Sequence, residues 1–147
     1  MRILGLDPSL SSTGWGIIEV ESNGMRYVAD GYIKTDAKMN IADRLAVIHN
    51  CLNEVLAAYR PDEAAIEQVF LNDNPTSTIK LGMARGVVIL APSLFGITVT
   101  EYEPNKIKKA VVGVGKAAKN QVETMDIRQL HYFLVLCEEM NYTRAAQ

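Results

Sequence analysis

The chain has 147 residues, 48% of them hydrophobic and 22% charged, with a formal net charge of −2. This length and composition are typical of one globular domain with a substantial core. No apolar run reaches the roughly 18 residues that a membrane span requires, and the first residues read as a core strand rather than a signal peptide. Cys51 and Cys137 lack metal-site spacing, so we expect reduced thiols in a cytoplasmic protein without a membrane partner.

Residues 1–20 predict a strand, a tight turn and a second, antiparallel strand. The first strand is apolar and ends in Asp7, although Asp is unfavourable inside strands. One explanation is that Asp7 initiates the turn at Pro8, since Asp-Pro is common turn chemistry. The other is that Asp7 is a metal-binding or general-base carboxylate held on a rigid sheet. At this point both explanations stay open.

The next segments predict a third strand, a crossover helix and a fourth strand. Residues 25–33 follow a Ser-Asn-Gly turn and alternate as a strand does. Apolar residues recur at helical spacing over 41–59 and stop at Pro61. Residues 63–70 read as a short buried strand that contains Glu67, and the helix before it makes this strand parallel to the first.

Asp7 and Glu67 are therefore expected near the carboxyl ends of neighbouring parallel strands, where open α/β sheets place their sites. Two adjacent carboxylates repel each other unless a cation lies between them, so the pair suggests Mg²⁺. The alternative for Glu67 is a solvated residue at a strand end.

A second helix is predicted over residues 78–91, with Thr76 or Ser77 as its cap and Pro92 as its end. It carries two interior glycines four residues apart, Gly82 and Gly86. Because an interior glycine costs about 1 kcal/mol relative to alanine, such glycines usually permit close approach of another backbone. That backbone belongs either to the sheet of this chain or to a dimer partner.

A fifth strand is predicted over residues 97–102, and Pro104 begins a further helix. The fold class is therefore α/β, with a mixed five-stranded sheet of three antiparallel strands and parallel additions, flanked by helices. Residues 104–122 carry five lysines and no acid, and such a local basic stripe can bind phosphates despite the net charge. The lysines are Lys106, Lys108, Lys109, Lys116 and Lys119. A solvated helix face is the alternative.

This order of elements, with Asp on the first strand and Glu on the fourth, resembles the ribonuclease-H-like fold. Three strings narrow the resemblance: MRILGLDPS…TGWGII, AIEQVFLNDNPTSTIKLGMARG and EYEPNKIKKAVVGVGKAAKNQV. They resemble Holliday junction resolvases of the RuvC type, from residue 1 to about Thr124. Ser9 departs from the family, which usually has Gly there, and this tightens the turn beside Asp7.

The resemblance implies a crossover junction endodeoxyribonuclease that hydrolyses phosphodiesters at four-way DNA junctions with two Mg²⁺ ions. By it, Asp7 and Glu67 are catalytic metal ligands, and Phe70 stacks near the branch point. Lys108 and Lys119 match basic residues near the scissile phosphate, and Lys116 begins the second part of the basic stripe. The family also implies a homodimer formed through the Gly82/Gly86 helix, and a complex with a branch-migration helicase.

The family's third motif, an acidic pair spaced Asp-Ala-Ala-Asp on the last helix, is absent from this chain. Residues 125–147 instead resemble the start of LysR-type transcription regulators, so we divide the chain into a resolvase-like domain (1–124) and a foreign-looking amphipathic helical tail (125–147). The acids of this tail are Asp126, Glu138 and Glu139. The adjacent glutamates point about 100° apart on a helix, so at most one could face the metals.

The sequence thus favours an impaired junction endonuclease that retains junction binding. A non-catalytic junction-binding dimer is the alternative. An RNA-processing nuclease is less favoured because the IEQVF and KLGMARG strings resemble the RuvC type instead. A DNA-binding regulator is less favoured because the LysR-like match ends before a complete recognition helix.

Overall fold

The computed structural model describes residues 1–22, 24–68 and 73–102. In this part of the chain five strands and two helices follow one another in the predicted order. Their bounds are β1 Arg2–Asp7, β2 Ser12–Glu21, β3 Gly24–Lys34, α1 Ile41–Tyr59, β4 Glu63–Glu67, α2 Pro75–Leu94 and β5 Thr98–Tyr102.

The strands form one sheet in the order β3-β2-β1-β4-β5. The pairs β1–β2 and β2–β3 are antiparallel, whereas β1–β4 and β4–β5 are parallel. This is the predicted mixed sheet: a meander supplies three strands, and each crossover helix adds one parallel strand. The carboxyl ends of β1, β4 and β5 consequently meet at one edge.

The core lies between the sheet and both helices. Leu4 and Leu6 of β1 and Ile66 of β4 are fully buried against Ile48 and Leu52 of α1. Because side chains alternate along a strand, the odd-numbered residues of β1 face the other side of the sheet. Asp7 therefore belongs to the face opposite the helices.

A cluster of polar contacts fixes the amino end of β1. The ammonium group of Met1 donates to Glu19 Oε1 at 3.0 Å, and Arg2 Nε donates to Glu19 Oε2 at 3.1 Å. Arg2 also donates from its guanidinium to the Tyr59 carbonyl at 2.7 Å and from its backbone N–H to Asp62 at 2.8 Å. These contacts join β1 to β2, to the end of α1 and to the start of β4, so they help to fix the strand register.

The prediction for the start of α2 was wrong by two or three residues. The cap is Asn74, whose side chain accepts from the backbone N–H groups of Thr76 at 3.1 Å and Ser77 at 3.3 Å. Pro75 follows at the first helical position, where a missing N–H costs nothing. Asn before Pro is therefore the local signal that sets this end.

The predicted end of α2 at Pro92 was also wrong, because the helix continues to Leu94 with the proline inside its last turn. Gly96 has φ +84° and its N–H donates to the Ser93 carbonyl, while the Ile97 N–H donates to the Pro92 carbonyl. This paired arrangement is a Schellman motif, so the glycine ends the helix and the proline does not.

The other helix end and the fourth strand are close to prediction. Helix α1 ends at Tyr59, followed by Arg60 in the left-handed conformation at φ 47° and by Pro61. Strand β4 ends at Glu67, earlier than the predicted residue 70. Cys51 is a free thiol packed against the core. Among the described residues no helix is both long and apolar enough to span a bilayer.

Candidate active site

The two predicted carboxylates meet at the edge of the sheet where the parallel strands end. Leu6 of β1 pairs with Ile66 of β4 in parallel register. The next residues, Asp7 and Glu67, close the two strands and share the face opposite the helices. Asp7 is exposed and Glu67 is half-buried. Residues 60 positions apart in sequence are thus neighbours at a strand end, as predicted.

The turn after Asp7 is held by a buried hydroxyl. Thr13 is fully buried, and its Oγ1 donates to the Ser9 carbonyl at 2.6 Å while accepting from the Ser9 N–H at 3.3 Å. Ser9 is not in a left-handed conformation, since Arg60 is the one non-glycine residue with positive φ in the described ranges. Ser9 therefore does not require the backbone conformation that favours glycine.

Arg85 of α2 holds the carboxyl ends of β4 and β5 together. Its guanidinium donates to the backbone carbonyl of Glu67 at 2.6 Å and to Glu101 Oε1 at 2.7 Å. The Arg85 side chain is 15% exposed, and that of Glu101 is 43% exposed. Arg85 thereby restrains the backbone that carries Glu67, while leaving the carboxylate on the other face of the sheet.

No motif or spacing in the sequence indicates Arg85 as a site residue. The contact joins residues that are 18 positions apart and its acceptor is a main-chain carbonyl, for which no side-chain pattern exists. The one feature that could have indicated Arg85 is its position in the helix. It directly follows Ala84, which is buried, so the Arg85 cation lies beside the helix–sheet interface.

The donor set suits a hard divalent cation, because carboxylate oxygens are the ligands that such ions prefer. Asp7 and Glu67 would hold the cation between them, and it would remove their mutual repulsion. In the part of the chain that the structure describes, no group of three or more potential ligands surrounds this pair. Two carboxylates are fewer ligands than such a cation takes, so any further ligands would have to come from outside the described residues.

The remaining predicted site residues lie outside the described residues. They are Phe70, Lys108, Lys116 and Lys119, together with the tail acids Asp126, Glu138 and Glu139.

The glycine-bearing face of α2 is open. A Cβ built on Gly82 or Gly86 meets no described atom within 4 Å, so packing on the sheet does not explain either glycine. Large apolar side chains lie on the same face at helical spacing and are 42–72% exposed. They are Ile79, Met83, Leu90 and Leu94.

The family described as crossover junction endodeoxyribonuclease RuvC matches residues 3–141. A protein of that name from Rhodospirillum rubrum is 56% identical over 125 residues, which cover 85% of this chain and 74% of the relative. The corresponding protein from Paramagnetospirillum magneticum is 54% identical, again over 85% of this chain, and 75% of its own length is covered.

Solved structures agree with the sequence relatives. The structure of T. thermophilus RuvC in complex with Holliday junction substrate superposes with a TM-score of 0.81 at 25% identity, covering 92% of this chain and 90% of that one. A further Thermus thermophilus RuvC structure gives a TM-score of 0.75 at 29% identity, with the same coverage. These similarities confirm the ribonuclease-H-like fold, and the chain belongs to the RuvC family of crossover junction endodeoxyribonucleases.

Proposed function

We propose that this chain binds four-way DNA junctions and hydrolyses their phosphodiesters by Mg²⁺-dependent chemistry, at a rate reduced by the lack of the family's third acidic motif. The observation that carries the proposal is the parallel register of β1 and β4, which ends both strands in a carboxylate on one face. Family membership supplies the substrate class, since the relatives are crossover junction endodeoxyribonucleases.

In this mechanism the residues of the chain hold the metal ions and orient the DNA. Asp7 and Glu67 would ligate the cation, and Arg85 restrains the backbone that carries the Glu67 carboxylate. When bound, a pair of Mg²⁺ ions would supply an activated water at neutral pH and charge neutralisation at the leaving oxygen. Lys108, Lys116 and Lys119 would bind DNA phosphates, and Phe70 would stack on an unpaired base.

Reduced activity follows from the number of ligands. A two-ion site needs three or four carboxylates, and this sequence offers Asp7 and Glu67 without the Asp-Ala-Ala-Asp pair. Asp126, Glu138 and Glu139 are the acids of the tail, and no spacing among them reproduces the missing pair. We therefore propose that junction binding persists while cleavage is slow or absent.

The test is a nicking assay on a synthetic four-way junction with Mg²⁺, run beside the Asp7→Asn variant and a chain ending at Thr124. We expect the full chain to bind the junction in gel-shift experiments and to cut it weakly, with any cutting abolished by Asp7→Asn. Rapid cutting that disappears in Asp7→Asn would disprove the impairment. Absence of junction binding would disprove the function itself.

A non-catalytic junction-binding protein is the second candidate, and the missing acidic pair favours it. This function predicts that neither Mg²⁺ nor the Glu67→Gln substitution changes junction affinity, and that no nicked product forms. Mg²⁺-dependent nicking, however slow, would exclude it.

We also propose a homodimer formed through the open face of α2. Gly82 and Gly86 would let the partner helix approach closely, and the exposed apolar residues would be buried by it. A two-fold dimer would place two cleavage sites on a two-fold junction. A cytoplasmic location and cooperation with a branch-migration helicase are proposed from the family alone.

Residues 125–147 resemble the start of a LysR-type regulator, and we propose that they form a foreign tail, while the family match itself extends to residue 141. The contribution of the tail is measured by the chain ending at Thr124 in the same assay. A footprint on a palindromic duplex that requires the tail would favour a regulatory function instead.

A further inference from the structure

A cleft of about 320 Å³ opens beside the turn that follows Asp7. It lies between the β1–β2 turn, the segment before α1, and the first turns of α2. Its lining is Ser9, Leu10, Ser11, Ala37, Arg44, Ser77, Lys80 and Leu81. Within the described part of the chain, two cations and three hydroxyls therefore line the cleft, and no acid does.

Arg44 is a buried cation that has no counter-ion among the described residues. The residue is 6% exposed, its Nε donates to Thr35 Oγ1 at 2.9 Å, and one terminal nitrogen donates to Ser11 Oγ at 3.4 Å. Both acceptors are neutral, and in the described ranges Arg44 forms no salt bridge. A guanidinium has five N–H donors, and a buried charge is costly unless an opposite charge pairs with it.

Lys80 brings a second positive charge to the same cleft from α2. The residue is exposed, and no described acid forms an ion pair with it. Ser77, one turn earlier in the helix, and Ser9 contribute hydroxyls that can donate to an anion. A planar guanidinium, an ammonium group and hydroxyls are together the donor set that binds phosphate oxygens.

We infer that this cleft is a phosphate-binding site for the backbone of the junction DNA, with Arg44 and Lys80 as its cationic ligands. The inference rests on the proposed function. Ser9 lies two residues beyond Asp7, so the cleft is at the same edge of the sheet as the carboxylate pair, but on the side that carries the helices. A phosphodiester held there would belong to DNA that passes this edge, and it would position that DNA without touching the reacting atoms.

The test measures junction affinity against salt concentration, with Ca²⁺ in place of Mg²⁺ so that the substrate stays intact. The variants are Lys80→Gln, Arg44→Lys and a charge-matched control, Arg26→Gln, whose exposed side chain lies at the opposite end of the sheet. We expect Lys80→Gln to lower the slope of log affinity against log salt by about one, and Arg26→Gln to leave it unchanged. Between about 50 and 200 mM salt, the wild type should then lose about 3.5-fold more affinity than Lys80→Gln.

Arg44 also ties Thr35 to Ser11, so Arg44→Lys needs a measurement of unfolding. If it folds as the wild type does, we expect weaker junction binding, because an ammonium group cannot make the same paired hydrogen bonds. Lys80→Gln is independent of this question, since Lys80 is exposed. A Lys80→Gln variant with the salt slope of Arg26→Gln would overturn the inference.

A second arm distinguishes DNA from free phosphate. Inorganic phosphate and chloride are compared, at equal ionic strength, for their effect on the thermal midpoint of the wild type and of Lys80→Gln. If the wild type binds no junction but phosphate stabilises it more than Lys80→Gln, then the proposed function fails and the occupant is a free anion. If the wild type binds junctions and Lys80→Gln binds equally well at every salt concentration, only the cleft assignment fails.

Discussion

Individual residues in this protein act through neighbours that the chain order does not reveal. Arg85 contacts the main chain of Glu67 and the side chain of Glu101, and these two contacts have different strengths. The carbonyl contact is part-buried and charge-assisted, whereas the Glu101 carboxylate is 43% exposed and screened by solvent. Arg85 therefore stabilises the strand ends mainly through the carbonyl.

We predict that Arg85→Leu lowers the free energy of unfolding by about 2 kcal/mol, as expected for a lost charge-assisted hydrogen bond. The control Glu101→Gln should lower it by less than about 1 kcal/mol, because that ion pair is partly exposed. Urea unfolding followed by circular dichroism measures both. Equal losses in the two variants would show that the ion pair, and not the carbonyl contact, carries the stabilisation.

A second residue-scale prediction concerns Gly31, which pairs with Trp15 across β2 and β3. A Cβ at Gly31 would lie 2.8 Å from the Trp15 ring, which is too close for any real contact. We expect Gly31→Ala to destabilise the fold by about 1–3 kcal/mol through overpacking, measured by thermal unfolding.

The same substitution made in a Trp15→Leu background should cost much less, because the ring that it meets is gone. A Gly31→Ala cost that is unchanged in that background would assign the effect to the backbone instead of the indole.

At the scale of elements, the sequence predicted which segments are helices or strands better than it predicted the residues at which the helices begin and end. The helical spacing over 41–59 and Pro61 placed α1 correctly. The ends of α2 were predicted wrongly. The helix begins after Asn74, which caps it in place of Thr76 or Ser77, and it ends before Gly96, whose left-handed conformation ends the helix in place of Pro92. The pairing of Asp7 with Glu67 could be predicted because parallel strands align their carboxyl ends.

Other features of the site could not be predicted from pattern. The Arg85 contact to a main-chain carbonyl and the burial of Arg44 both depend on how helices lie on the sheet. The spacing of apolar residues gives the buried side of a helix, but it does not say which strand end a flanking cation will reach.

The hairpin of β1 and β2 carries an acid-sensitive contact. Glu19 accepts from the Met1 ammonium group and from Arg2. The hydrogen bond from the ammonium group lowers the Glu19 pKa below its ordinary value of 4.5, and Arg2 lowers it further against the opposing effect of burial. A carboxyl whose pKa is lower in the folded state stabilises fully above its unfolded pKa, and the stabilisation is lost as the pH falls through the folded value.

We therefore predict that Glu19→Gln lowers stability near neutral pH and flattens the loss of stability between about pH 5 and pH 3. Urea midpoints across this range measure the effect. Glu54→Gln, an exposed carboxyl on α1, is the matched control. A Glu19→Gln variant with the acid dependence of the wild type would show that another group causes it.

For the whole molecule, the exposed apolar face of α2 is the surface on which the proposed dimer would form. We predict that Leu90→Glu converts the proposed dimer to a monomer without unfolding the chain. Leu90 is 50% exposed, so a glutamate at this position would be solvated in the monomer, and its charge would be buried only in the dimer. Sedimentation velocity gives the mass, and circular dichroism gives the fold.

The control is Glu54→Gln, because Glu54 is an exposed residue of α1 and not of α2. A wild type that sediments as a monomer at every concentration tested would contradict the dimer, while the cleavage-site assignment would be unaffected.

Trp15 is the single tryptophan of the chain, and it lies over Gly31 with its ring centroid 5.8 Å from that of Tyr59. It pairs with Leu6, the residue before Asp7. Indole emission depends on the polarity around the ring, so the protein contains its own optical label between the sheet and α1. Ion or DNA titrations followed by this emission, with the indole excited selectively over the six tyrosines, need no attached dye and report on one known position.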